Sequence, residues 1–213
     1  MYELRWFFEG SDSAAAKTWI ARLDPASKPF AEPRRHEIYL RYAPHTGVKI
    51  SRGGLELKYR TDARRLSLGA DTAGKLEYWE KIEWKYAMSG SDPSIDPVFQ
   101  AFSPSTLRGQ RLSTMKDRVV RKFQLGHEAP VAVDMDAKPH LGFLVEVTDV
   151  IVASTSPWWS VQFELLSTGS PSDEETFRNA AEWALGHERS PSVLREENSW
   201  SYPEWLETLF AQH

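Results

Sequence analysis

The sequence predicts an α+β protein built on an eight-stranded antiparallel β-barrel with helices packed outside. Three observations carry this expectation. Apolar residues recur with period two over eight separate runs, most runs are joined by short turns, and three stripes of helical period stand apart from them. Period two puts apolar and polar side chains on opposite faces of a strand. A large antiparallel sheet of such strands closes readily into a barrel.

The elements follow in order. Residues 2–8 form the first alternating run. In 12–23, Ala16, Trp19, Ile20 and Leu23 fall at i, i+3, i+4 and i+7, and Pro25 stops the helix. Residues 34–43 set Ile38, Leu40 and Tyr42 against Glu37, Tyr39 and Arg41. The runs 47–52 and 55–60 flank Gly53-Gly54, a hairpin signal, and 55–60 opposes Leu55, Leu57 and Tyr59 to Glu56, Lys58 and Arg60. Segment 76–86 opposes Tyr78, Ile82, Trp84 and Tyr86 to Glu77, Trp79, Lys81, Glu83 and Lys85. Further strands are expected over 115–125, 142–152 and 158–166. A helix over 172–186 opens with the capping pattern Ser172…Glu175, and a last one over 201–210 opens with Ser201…Glu204. Segments 24–34, 89–110 and 187–200 read as irregular. The chain divides into a barrel domain, 1–186, and a C-terminal helical appendage, 187–213, whose greasy stripe is most simply a strap on the outside of the barrel. A dimer contact or a plug in the tunnel is the sharper alternative.

Composition narrows the function. The 213 residues carry 26 basic and 30 acidic side chains, a net charge of −4, so no basic excess points to nucleic acid. With no cysteine, disulfide scaffolds, thiolate catalysis and Cys-ligated metals are excluded. No apolar stretch approaches a membrane span, and the start Met1-Tyr2-Glu3-Leu4-Arg5 lacks a secretory pattern, so a cytoplasmic protein is expected. Walker, GxGxxG and GxSxG motifs are lacking. The six histidines are scattered and read as loop or surface residues.

Where the charges sit is more informative than their sum. Strand parity collects Arg5, Arg41, Lys49, Lys58, Arg60, Lys85, Arg118 and Lys122 on the polar face, interleaved with Glu3, Glu37, Glu56, Glu83, Glu146 and Glu164. On an open sheet that face is merely wet. In a closed barrel it becomes a polar lumen, costly unless its charges pair or hold ions. Converging Lys and Arg suit a polyanion, and carboxylates among them suit Mg²⁺ or Mn²⁺.

The order of segments carries a resemblance. The stretches RRHEIYLRYAPHTGVKISRGGLELKYRT (34–61), KLEYWEKIEWKY (75–86), KDRVVRKFQL (116–125), AVDMDAKPHLGFLVEVTDV (132–150) and WWSVQFELL (158–166) resemble the CYTH-like family, the triphosphate tunnel metalloenzymes. The resemblance implies an eight-stranded tunnel that binds a tri- or polyphosphate-containing ligand, with divalent-metal-dependent phosphohydrolase activity. Onto the family's opening Glu-x-Glu-x-Lys, Glu3 matches, Arg5 takes a basic role, and Phe7 matches nothing. Lys49 with Arg52, then Lys58 and Arg60, then Arg118, Arg121 and Lys122 match its basic strands. Its late Glu-x-Glu is reduced to Gln162-Phe163-Glu164, with Glu146 as a neighbouring partner.

The phosphate-binding half of the pattern is thus better kept than the metal-binding half. The polar face and the resemblance together assign phosphate contacts to Arg5, Arg41, Lys49, Lys58, Arg60, Lys85, Arg118 and Lys122, and Mg²⁺ or Mn²⁺ to Glu3, Glu83, Glu146 and Glu164, with Glu56 and Glu37 as substitutes; Arg41, Lys85 and Glu83 come from strand parity alone. A non-catalytic anion-binding or interaction module, in which the tunnel salt-bridges with itself, is the alternative. The implied partner is a phosphate-rich small molecule, with no nucleic acid or membrane and a possible homodimer. Tripolyphosphate, a nucleoside triphosphate and thiamine triphosphate are equally compatible. Two smaller features have bland readings: Asp134-Met135-Asp136 as a turn rather than a metal pair, and Trp158-Trp159 as one indole in the exterior core and one at the barrel mouth.

Overall fold

A computed structural model describes residues 1–51, 54–85, 111–126, 129–152, 155–166, 170, 172–187 and 194–211. Arg52, Gly53, Tyr86, the 89–110 segment and His127 lie outside the described residues.

The strands are β1 (Tyr2–Glu9), β2 (Phe30–Ala43), β3 (Thr46–Ser51), β4 (Gly54–Leu68), β5 (Thr72–Lys85), β6 (Arg111–Gln124), β7 (Val131–Val133), β8 (Gly142–Val152) and β9 (Trp158–Leu166). The helices are α1 (Ala14–Arg22), α2 (Asp173–His187) and α3 (Tyr202–Ala211), with a 3₁₀ turn at Glu196–Asn198 before the last. Strand order is β2-β3-β4-β5-β1-β9-β8-β6, and a β2–β6 pairing closes the ring into an eight-stranded antiparallel barrel. The short β7 is additional. It pairs with β6 at Lys122–Gln124, beyond the point where β2 begins at Phe30↔Val120. No alternation announces so short a strand.

Parity divides every strand between two environments. The outward residues Leu4, Trp6, Phe143, Val145, Val147, Val161 and Phe163 are fully buried under α1 and α2, which supply Trp19, Ile20, Phe177 and Ala181. Arg121 also points outward. Its guanidinium donates to the carbonyls of Ile20 and Ala21 at 3.1 and 3.2 Å, so it caps the end of α1 rather than serving the lumen. Outer residues of β2, β4 and β5 remain exposed, among them Tyr42, Tyr59, Ile82 and Trp84.

The third helix departs from the expected outside strap. Its stripe enters one end of the barrel: Trp205 stacks on Phe7 at 4.4 Å, Tyr202 stacks on Tyr39 at 5.3 Å, and Leu206 and Leu209 complete a second core with Leu112, Val150 and Val152. The helix is the plug. Ser201 and Glu204 form the expected capping box, Ser201 N–H donating to the Glu204 carboxylate at 3.3 Å and Glu204 N–H to the Ser201 hydroxyl at 3.4 Å. Phe7, which matched nothing in the resemblance, is the floor on which the plug rests. Among the described residues no helix is long and apolar enough to cross a membrane.

Candidate functional site

Above the plug the inward faces of the strands enclose a chamber of about 140 Å³. Six cationic side chains line it: Arg5 from β1, Lys49 from β3, Lys58 from β4, Lys81 from β5, and Lys116 and Arg118 from β6. Four carboxylates stand among them: Glu3, Glu56, Glu146 and Glu164. Tyr39, Trp79, Gln162 and Tyr202 supply much of the remaining wall.

Pairing makes this interior tolerable. Glu3 accepts from Arg5 Nη2 at 3.1 Å and from Lys58 Nζ at 3.0 Å. Glu146 accepts from Arg118 at 3.0 Å and from the Thr148 hydroxyl at 2.5 Å. Glu56 lies between Lys49 at 3.3 Å and Lys81 at 2.8 Å. Lys116 Nζ contacts Glu37, which stands behind the lining, at 2.8 Å and the Tyr39 hydroxyl at 2.6 Å. Burial alone would raise each of these carboxyl pKa values, but the adjacent cations outweigh it. Glu3, Glu37 and Glu146 end below the ordinary range, and Glu56 is held down to about 2. For Lys116 burial wins over Glu37, and its ammonium is pushed down to about 8.

Glu164 differs. It sits opposite Glu3 in the β1–β9 register and accepts from Gln162 Nε2 at 3.0 Å. Burial pushes its carboxyl up, with Glu3 and Glu146 adding to the effect and Lys58 opposing it. Arg5 is the centre of this group, bonded to Glu3 and Gln162 and 3.9 Å from Glu146. Of the carboxylates that a divalent ion would use, Glu3 and Glu146 are therefore already held by cationic side chains, while Glu164 accepts from the Gln162 amide. Among the described residues no three acidic or histidine side chains converge as metal ligands. The donor set does not fit a resident Mg²⁺ or Mn²⁺.

The expected site residues separate cleanly. Arg5, Lys49, Lys58, Arg118, Glu3, Glu146 and Glu164 meet at the chamber. Five do not. Arg41 lies past it and pairs bidentately with Glu207 of α3 at 2.9 Å. Arg60 pairs with Glu77 at 2.5 Å and Glu204 at 2.7 Å, just before the β4 bulge. Lys122 lies at the opposite end, where its ammonium donates to the Met135 and Ala137 carbonyls. Glu83 and Lys85 are exposed, since β5 runs on beyond the enclosed part of the barrel. Parity chose the right face for all five; distance along the barrel axis removed them.

Lys81, Lys116, Tyr39, Gln162 and Tyr202 were missed as site residues. Lys116 was findable, being two residues before Arg118 on the same strand face. Tyr202 was not, because nothing in the sequence says that its helix turns inward. Of the smaller features, Asp134 and Asp136 are exposed around a turn closed by Ala137 N–H to the Asp134 carbonyl at 3.1 Å. Trp159 stacks on Phe8 outside, and Trp158 meets Trp205 at the plugged mouth.

No family model matches the sequence, and no curated protein matches it. Among solved structures, the chain is similar to a conserved hypothetical protein of Pyrococcus furiosus and to the PH1012 protein of Pyrococcus horikoshii OT3. Each is 12% identical with a TM-score of 0.44, over 95% of this chain and 98% of that chain. The PH1819 protein of Pyrococcus horikoshii OT3 is 10% identical with a TM-score of 0.42, over 99% of each chain.

Proposed function

We propose that the protein is a cytoplasmic, CYTH-like barrel that binds a small phosphate-rich anion in its chamber without a resident divalent metal. One observation carries this reading: six cationic side chains from five strands converge on one cavity lined by only four carboxylates. Charge-assisted bonds from Lys and Arg to phosphate oxygens are short and strong, and an anion entering here replaces carboxylate partners with better-matched ones. The resemblance to triphosphate tunnel enzymes favours a chain of phosphates over other anions. The volume favours the inorganic chain, or the phosphate end of a larger molecule, since pockets for whole drug-sized ligands hold about 300–1,000 Å³.

Hydrolysis is not part of the reading. Phosphoryl transfer relies on metal ions that bridge phosphate oxygens, and here Arg5 and Lys58 occupy Glu3 and Arg118 occupies Glu146, two of the carboxylates that would hold them.

The test is thermal denaturation with inorganic tripolyphosphate, with and without Mg²⁺, followed by phosphate release. Stabilisation of about 2.7 kcal/mol is expected at a hundredfold excess over Kd, equally without Mg²⁺. No stabilisation at any concentration overturns the binding site. Release of phosphate that requires Mg²⁺ overturns the metal-free reading in favour of the family's hydrolase.

A further inference from the structure

Every residue lining the chamber comes from a strand except Ser201, Tyr202 and Pro203, which α3 brings in with its first turn. Tyr202 is fixed there from several sides. Its ring stacks on Tyr39 and meets Phe7 edge-on at 5.1 Å. Arg5 Cζ stands 4.4 Å and Lys116 Nζ 3.7 Å from the ring centroid. All this holds the ring and uses none of the oxygen.

The hydroxyl of Tyr202 is buried and has no hydrogen-bond partner, although the residue is only 8% exposed. Arg5, 7% exposed, has Nε and Nη1 in the same condition. An unmet buried donor costs about 1–3 kcal/mol, so three on two residues that line one small cavity ask for an acceptor. Nearby carboxylates already have closer donors: Glu146, 3.9 Å from Arg5 Nη1, is taken by Arg118 and Thr148, and Glu37 by Lys116 and Tyr39. Burial also pushes the Tyr202 phenol well above its ordinary pKa, so at neutral pH it keeps its proton and is a donor.

We propose that Tyr202 is an anion-binding residue: its hydroxyl and Arg5 Nη1 donate to an oxygen of the bound phosphate chain, so that α3 completes the site and is locked in place by the ligand. The inference rests on the reading of the chamber as a phosphate site and adds to it a group that the strands do not supply. Because coupling between two events is reciprocal, a ligand that contacts the helix tightens its docking, and loosening the helix weakens the ligand. The helix is tied to the wall outside the chamber by Glu204 to Arg60 and Lys75, and by Glu207 to Arg41.

Tyr202→Phe keeps the ring, its stacking and its two cations, and deletes only the oxygen. The melting temperature without ligand is expected to match or exceed the wild type, since an unmet buried donor is removed, and the Kd for inorganic tripolyphosphate, measured by calorimetry, to rise roughly 10- to 100-fold. In the wild type, amide hydrogen exchange over residues 203–209 is expected to slow on adding tripolyphosphate. Glu204→Gln, which loosens the helix from outside the chamber, is expected to raise Kd by a smaller factor.

A Tyr202→Phe affinity within twofold of wild type, with Lys58→Met still abolishing binding, overturns this inference and leaves the phosphate chamber standing. Exchange over 203–209 that ignores the ligand overturns the linkage. Wild-type protein that binds no tripolyphosphate overturns both the inference and the chamber reading.

Discussion

The two faces of the same strands bury comparable lengths of chain by opposite means. Outside, Trp6, Phe143 and Phe163 interlock with one another and with Phe177 of α2, and the strands gain by removing apolar surface from water. Inside, Glu3, Arg5, Glu37, Lys116 and Glu146 are equally hidden but must be compensated group by group. Such pairs contribute little net stability, because desolvation consumes most of their mutual attraction. The outer face holds the fold together; the inner one is a cost carried for another purpose. The plug marks where the inner face changes character, with β1 passing from Glu3 and Arg5 to Phe7.

The largest test of this contrast is Phe163→Ala on the outer face. It is expected to cost about 3–5 kcal/mol in urea denaturation; a loss under about 1 kcal/mol would remove the outer core from its leading role. Next comes the inner face. Lys58→Met leaves Glu3 with one fewer cation, and as Lys58 is 22% exposed the loss should be about 2 kcal/mol. Adding Glu3→Gln is expected to restore stability or exceed the wild type while leaving tripolyphosphate unbound. A double variant as unstable as the single one would show that these charges stabilise the barrel after all.

A smaller, pH-dependent effect comes from the latch between wall and plug. Glu77 is 3% exposed and accepts from Arg60 and from Trp79 Nε1. Burial pushes its carboxyl up to about 7, with Arg60, shared with Glu204, opposing. The folded state therefore holds a proton that the unfolded chain releases near 4.5. Stability from this group is greatest below about 4.5, declines as pH rises towards about 7, and is level above that. Glu77→Gln is expected to flatten that slope in stability curves recorded at successive pH values; an unchanged slope would assign it elsewhere. Glu56 acts oppositely: its stabilisation, present above about 4.5, should fade as pH falls towards about 2.

The smallest effect is expected at the rim. Arg65 and Glu196 pair at 2.8 Å with 66% and 52% of their side chains exposed, and Arg65→Ala should change stability by about 0.5 kcal/mol or less.

Strand parity made the barrel and the sign of each face legible, because a sheet closed around charges must still alternate. It could not give position along the axis, which is why Arg41, Arg60 and Lys85 were grouped with Lys58. The ends of β4 were lost for a related reason: Asp62, Ala63, Arg64 and Arg65 are all exposed, so neither face is apolar there and no alternation survives. The plug was hidden more deeply. An apolar stripe on a helix is the same whether it covers a sheet or fills its mouth, and only the partners Phe7, Tyr39 and Leu112 decide between the two.

The barrel's closure has a consequence in time. The first strand lies between β5 and β9 and pairs with the latter along its whole length, from Tyr2↔Leu165 to Glu9↔Trp158. A ribosome adding about 5–20 residues per second needs on the order of ten seconds or more to reach that partner. Until then Leu4 and Trp6 have no finished surface to cover them. Contacts so distant in sequence also slow folding itself. Newly made chains of this protein should accordingly pass through a long interval in which the first strand is open to chaperones and to other copies of itself.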